Sequence, residues 1–170
     1  MTLEQYSYLG EIIAAIAVVA SLIYLALQVR ESKTSAERDA SFEMIRSFQT
    51  AEFSKMLTHS YDLPPGLTRK ELENKFKDDM PAFLSYMATW ESLGILVHRG
   101  QISLDLVCDF FGHPLLAAWD MAETYVKERR AQAGRDTPWE WFQWLVDRVK
   151  LVELSEKPIP AYIEHDSWRP

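Results

Sequence analysis

Lysine and arginine are missing from the first 29 residues, and cysteine occurs once in 170, at Cys108. A lone cysteine excludes an intrachain disulfide and any multi-cysteine metal site, which fits a reducing compartment. The missing basic residues exclude the positive n-region of a cleaved signal peptide. A basic stripe is lacking too: the formal charge is −7, and because only Glu4 and Glu11 of the acids precede Arg30, residues 30–170 still carry −5. Such a surface is poorly suited to the phosphate contacts that dominate nucleic-acid affinity, so no nucleic-acid partner is expected. No segment alternates with period two and no Asn-Gly hairpin signal occurs. The six glycines are scattered, which removes a glycine-rich phosphate loop.

What is present begins with an apolar run. From Gly10 to Val29 the sequence reads GEIIAAIAVVASLIYLALQV, with no charge between Ile12 and Leu27. At about 1.5 Å per residue, roughly 20 residues match a ~30 Å hydrocarbon core. Its ten Ile, Val and Leu residues contribute on the order of −3 to −6 kcal/mol on an insertion scale. Tyr6 and Tyr8 before it and Arg30 after it stand where interfacial anchors would. The expectation is a single transmembrane helix over 10–29 behind a short N-terminal segment, 1–9. Arg30, Lys33 and Arg38 flank its C-terminal end, so the chain beyond faces the cytoplasm and the N-terminus lies outside. Gly10, Ala14, Ala17 and Ser21 recur at helical spacing, with Tyr24 and Gln28 continuing the stripe. Small residues let a second span approach closely, which makes this stripe a packing face for a partner helix or for a second copy of the chain.

After the span every segment reads as helix. Ala40, Met44, Phe48 and Ala51 keep a helical period with no Gly or Pro before Pro64, which predicts one rod running on to about Ser60. Pro64-Pro65-Gly66 forces a turn, and Thr68 with Glu71 forms a capping box. Pro81 opens a core helix through Phe83, Tyr86, Met87, Trp90, Leu93, Gly94 and Val97, stopped by Gly100. Ser103 caps a shorter helix ended by Gly112, Pro114 starts another closed by Gly134, and Thr137-Pro-Trp-Glu140 announces the last as a second capping box. The class is therefore all-α: one membrane helix, an irregular bundle of about five helices in a cytoplasmic domain over 30–156, and an extended Pro-containing tail over 157–170.

The opening GEIIAAIAVVASLIYLALQVRES, the stretch WESLGILVHRGQISLDLVCDFFG and the Trp-rich terminal helix together resemble a widespread group of bacterial single-span membrane proteins with a helical domain of unknown function. The resemblance covers most of the chain. It implies a membrane-anchored helical domain in the bacterial inner membrane and transfers no catalytic residue.

Few residues invite chemistry. His59, His98, His113 and His165 fall on four segments, none with a second His or Cys within four residues, so no metal site is expected. Glu91 and His98, two turns apart, can share a helix face. Asp120 and Glu123 are three apart, but Trp119 and Ala122 already supply the buried side there. Cys108, among Val107, Phe110 and Phe111, reads as a packed thiol rather than a nucleophile. Trp139, Trp141 and Trp144 crowd six residues, and since positions 139 and 141 point about 200° apart, one of them should face outward. With Tyr162 and Trp168 they are candidate contacts for a partner. These readings favour a noncatalytic accessory or scaffold subunit of a larger membrane complex, binding no cofactor. An energy-converting assembly, photosynthetic or respiratory, is one host it would suit. The alternative is a membrane-tethered sensor that binds a small ligand between its helices.

Overall fold

The computed structural model describes residues 3–155 and 159–169, apart from the side chains of 3–15, 33, 34, 36–38, 40–42, 45 and 155. The chain divides into two units, Met1–Phe42 and Glu43–Pro170. All elements are helical, and no strand occurs among the described residues. Helix α1 runs over Leu3–Ser47, 45 residues without a break.

In the first unit, Ile16, Val18, Val19, Leu22, Ile23, Tyr24, Leu25, Leu27 and Val29 are each 53–68% exposed. They lie on every side of the helix, since consecutive positions step by about 100°. Among the described residues no helix is long and apolar enough to cross a membrane. The expected span over 10–29 is therefore not met within them, because the described apolar side chains begin only at Ile16.

The second unit holds the core. Helices α2 (Ala51–Asp62), α3 (Arg69–Phe76), α4 (Met80–His98), α5 (Leu104–Ala133) and α6 (Glu140–Ser155) follow, with a 3-10 turn over Lys77–Asp79 and a four-residue α7 at Ala161–Glu164. The single rod expected to Ser60 breaks at 48–50. Phe48 turns into the core, packing on Phe53, Trp90 and Phe111 at ring distances of 4.6, 4.9 and 4.0 Å, and Thr50 Oγ1 accepts the Phe53 amide to start α2. A Ser/Thr side chain that bonds the amide three residues on is a sufficient helix start, even without Gly or Pro.

A second correction concerns Gly112 and Pro114, expected as a stop and a start. Both lie inside α5, which continues unbroken to Gly134, the left-handed C-cap with φ 63°. An internal proline loses a hydrogen bond and crowds the carbonyl four residues back, at a cost of about 3 kcal/mol. Burial on both sides offsets it: Val107 before, then Leu115, Ala118, Ala122 and Val126 after, keep one stripe in the core. The tail departs from expectation as well, since 161–164 form a helical turn rather than extended chain, with Ile159, Tyr162, Ile163 and Trp168 exposed.

Other signals hold. Thr68 and Glu71 form the capping box in both directions, and Ser103 Oγ accepts the Leu106 amide at 3.2 Å. Helix α4 is the central element: Trp90 is fully buried, ringed by Phe48, Phe53, Tyr86, Phe111 and Phe142 at 4.9–6.1 Å. One turn on, Gly94 lies against the Trp141 backbone of α6. A Cβ at 94 would collide with the Trp141 carbonyl oxygen and stand 2.8 Å from its carbon, both of them backbone atoms that cannot swing away.

Gly94→Ala should therefore force α4 and α6 apart and cost about 2–3 kcal/mol of unfolding free energy. Gly100→Ala meets open space but has φ 68°, so it should cost only about 1 kcal/mol. Urea melts of the two variants check the order, and equal losses would refute the close-approach account.

Candidate functional site

Helix α5 ends at the Gly134 cap and α6 begins at Glu140, so residues 134–139 must turn the chain within a few residues. The turn is fixed from α5 by Arg130. Its guanidinium donates to the Pro138 carbonyl at 2.9 Å, the Trp139 carbonyl at 3.2 Å and Gln143 Oε1 at 2.5 Å. Between these contacts Trp139 takes φ 54°, a left-handed conformation that costs a bulky residue on the order of 1–3 kcal/mol. Its ring is half-buried against Tyr125, 5.8 Å away.

The α6 start is completed by α4. Glu91 Oε2 accepts the Phe142 amide at 2.7 Å, so a carboxylate from another helix takes the place of a local cap. The expected Thr137–Glu140 capping box is replaced by this arrangement: the Glu140 amide bonds the Thr137 carbonyl, and Pro138 lies in the turn rather than at the first helical position. Burial pushes the Glu91 carboxyl up, while the Phe142 and Trp141 amides pull it back.

Two turns along α4, His98 rests against Trp141 at 4.6 Å and Trp144 at 5.5 Å, and Arg148 lies 5.8 Å over the Trp144 ring. Glu91 and His98 thus do share a face, the one that meets α6. The three tryptophans part company: Trp139 packs on Tyr125, whereas Trp141 and Trp144 are neighbours, 6.0 Å apart, on the other side. All three are half-buried, whereas Tyr162 and Trp168 of the tail are exposed at 78% and 67%.

The remaining sequence candidates do not converge. His59 stacks edge-on against Phe76, His113 against Tyr61, and His165 lies beside Glu164 in the tail. Asp120 is exposed, and Glu123 is paired with Lys127 at 2.8 Å. Cys108 is half-buried, and burial together with Asp105, Asp109 and Glu153 pushes its thiol up, away from the thiolate a nucleophile needs. Among the described residues no three His, Cys, Asp or Glu side chains come together to hold a metal. Of the stripe on α1, Gly10 and Ala14 lie outside the described side chains. Ala17, Ser21, Tyr24 and Gln28 are exposed, and the Ser21 hydroxyl donates to the Ala17 carbonyl at 2.8 Å.

A half-buried carboxylate, a triply engaged guanidinium and a strained tryptophan therefore meet at one corner, where α4, α5 and α6 join. This corner and the helices that build it fall within one family match. The chain belongs to the DUF4760 family. The family model, described as a domain of unknown function, matches residues 11–149, from α1 through most of α6. No curated protein and no solved structure matches the chain. The DUF4760 match takes in Glu91, Arg130 and all three tryptophans of 139–144 and leaves out the tail with Tyr162 and Trp168.

Two outcomes test this corner. Arg130→Ala should cost about 2–3 kcal/mol, and Arg130→Lys should restore little, because an ammonium cannot reach three acceptors in one plane. For Glu91 the folded carboxyl holds its proton more tightly than the unfolded chain does. Its contribution is complete below the usual glutamate range and lost as pH rises through the raised value. The stability of the parent chain should accordingly fall relative to Glu91→Gln as pH increases across that window. Denaturant midpoints in a pH series read this, and a constant difference would discard the assignment.

Proposed function

We propose that the chain is a membrane-tethered, noncatalytic helical module that serves as an accessory or scaffold subunit of a larger membrane assembly. The observation that carries this reading is the all-round exposure of Ile16 to Val29 on α1. A helix apolar on every side is stable only when surrounded, by protein or by lipid. Residues 16–29 rise about 21 Å, and the sequence from Gly10 to Ala15, apolar but for Glu11, lengthens the run to the ~30 Å of a hydrocarbon core.

The basic residues at Arg30, Lys33 and Arg38 favour a cytoplasmic second unit in a bacterial inner membrane. Docking is assigned to the stripe of Gly10, Ala14, Ala17 and Ser21, with Tyr24 and Gln28, because small residues allow backbone approach. Since the Ser21 hydroxyl is already satisfied by Ala17, the stripe works by close packing more than by a hydrogen bond across it. The occupant is another subunit's span, as in an energy-converting complex, or a second copy of the chain. Against an enzyme stand the raised thiol of Cys108 and the dispersal of the histidines over separate elements.

The full-length chain should pellet with membranes and resist alkaline carbonate extraction. Val19→Lys together with Ile23→Lys should release it, since each lysine at mid-span costs about 2.5–3.5 kcal/mol. Recovery of the unaltered chain in the aqueous fraction would overturn the tether. Given a tether, Ala14→Leu with Ala17→Leu should abolish co-purification of whatever migrates with the chain in mild detergent, and unchanged association would remove the docking stripe alone.

A further inference from the structure

Two clefts open beside the α5–α6 turn, of about 460 and 380 Å³. Glu91, Arg129, Arg135, Thr137 and Trp139 line the larger, and Lys127, Arg130, Arg135 and Asp136 line the smaller, so Arg135 borders both. In a chain of net charge −7, four of the 18 basic residues fall within nine positions at this place.

Their engagements differ. Lys127 is paired with Glu123, Arg130 is spent on the turn, and Arg129 donates to the neutral Gln132 amide oxygen at 3.1 Å. The Arg135 side chain has no hydrogen bond or ion pair among the described residues. A helix C-terminus attracts cations to its last turn, which accounts for Arg130, with Lys127 and Arg129 one turn earlier. It does not account for Arg135, which follows the Gly134 cap. Two guanidiniums that make no ion pair among the described residues, in a cleft that Thr137 and the Trp139 indole also line, suit a tetrahedral oxyanion, because a guanidinium offers parallel donors to two of its oxygens.

We propose that the larger cleft binds a phosphate group through Arg129 and Arg135, with Thr137 as a third donor. The Glu91 carboxylate, engaged with the Phe142 amide, lines the same cleft and favours a ligand that turns a hydroxyl or amine towards it. A soluble phosphomonoester and the headgroup of a phosphatidic-type lipid share this chemistry. The site does not depend on the membrane reading, since every lining residue belongs to the second unit.

The test is calorimetry on the full-length chain in a phosphate-free buffer with a non-ionic detergent. Glycerol 3-phosphate is titrated in one arm and dihexanoyl phosphatidic acid, below its micellar concentration, in the other. Saturable binding of about 1 mM or tighter is expected in at least one arm. Arg135→Gln should weaken it by about tenfold or more without moving the thermal midpoint, and Arg99→Gln, outside the cleft, should leave it unchanged. Binding of glycerol 3-phosphate assigns a soluble ligand, and binding of the lipid alone assigns a headgroup. No saturable heat in either arm, or equal affinity in Arg135→Gln and the parent chain, overturns the site.

Discussion

The second unit depends on how closely α4 can approach the start of α6. At Gly94 the two backbones meet with no side chain between them, and everything that defines the α6 start follows from that separation. Trp90, one turn before, reaches Phe142 and stacks on it at 6.1 Å with the rings 16° from parallel. Glu91, beside it, reaches the Phe142 amide, and His98, one turn after Gly94, reaches the rings of Trp141 and Trp144. A wider spacing would loosen all three at once. That interdependence is why a single methyl at 94 is expected to outweigh a strained backbone at 100.

Where the elements are local, the sequence is a good guide. Thr68 with Glu71, Ser103 with Leu106, and the glycines at 100 and 134 act through atoms a few residues apart, so spacing alone reveals them. It misleads wherever packing decides. Pro114 carries the standard sign of a helix start, yet the apolar stripe of α5 passes straight through it and the gain from burying that stripe exceeds the lost hydrogen bond. The break at 48–50 is the converse: the helical period continues through Phe48, but the ring contributes more inside the aromatic cluster than on a continued rod. Thr50 was the one local hint, and a cap without Gly or Pro is weak beside a continuous period.

The corner at 130–142 was half legible. That Glu91 and His98 share a face follows from their seven-residue separation. That the face meets α6 does not, because the partner is about fifty residues away in sequence. Arg130 reads locally as a cation complementing a helix dipole. Its actual acceptors are the Pro138 and Trp139 carbonyls and Gln143 Oε1, at a turn where Trp139 adopts φ 54°. Nothing in a Thr-Pro-Trp-Glu string signals a left-handed tryptophan, since the pattern equally suits an ordinary capping box. The surplus of tryptophan was visible, but its division into one ring facing Tyr125 and two flanking His98 depends on the helix starting at Glu140 rather than Pro138.

Polar groups are distributed unevenly for a physical reason. The interior among α2, α4, α5 and α6 is filled by aromatic rings together with Leu, Val and Met side chains, and its buried polar pair is self-contained: the Tyr86 hydroxyl donates to Ser60 Oγ at 3.4 Å and Ser60 donates to the Leu57 carbonyl at 2.7 Å. Burial pushes the Tyr86 phenol up to about 12, so it remains neutral at any ordinary pH and offers no charge to a ligand. Trp90 goes further, its indole nitrogen buried without a hydrogen-bond partner among the described residues, a cost that only dense packing can offset. An interior built this way selects shape and excludes charge. Charged recognition is then left to the rim, where backbone carbonyls and amides at the α5–α6 turn hold Arg130 and Glu91 in place, and where Arg135 stands beyond the helix cap with its donors unspent.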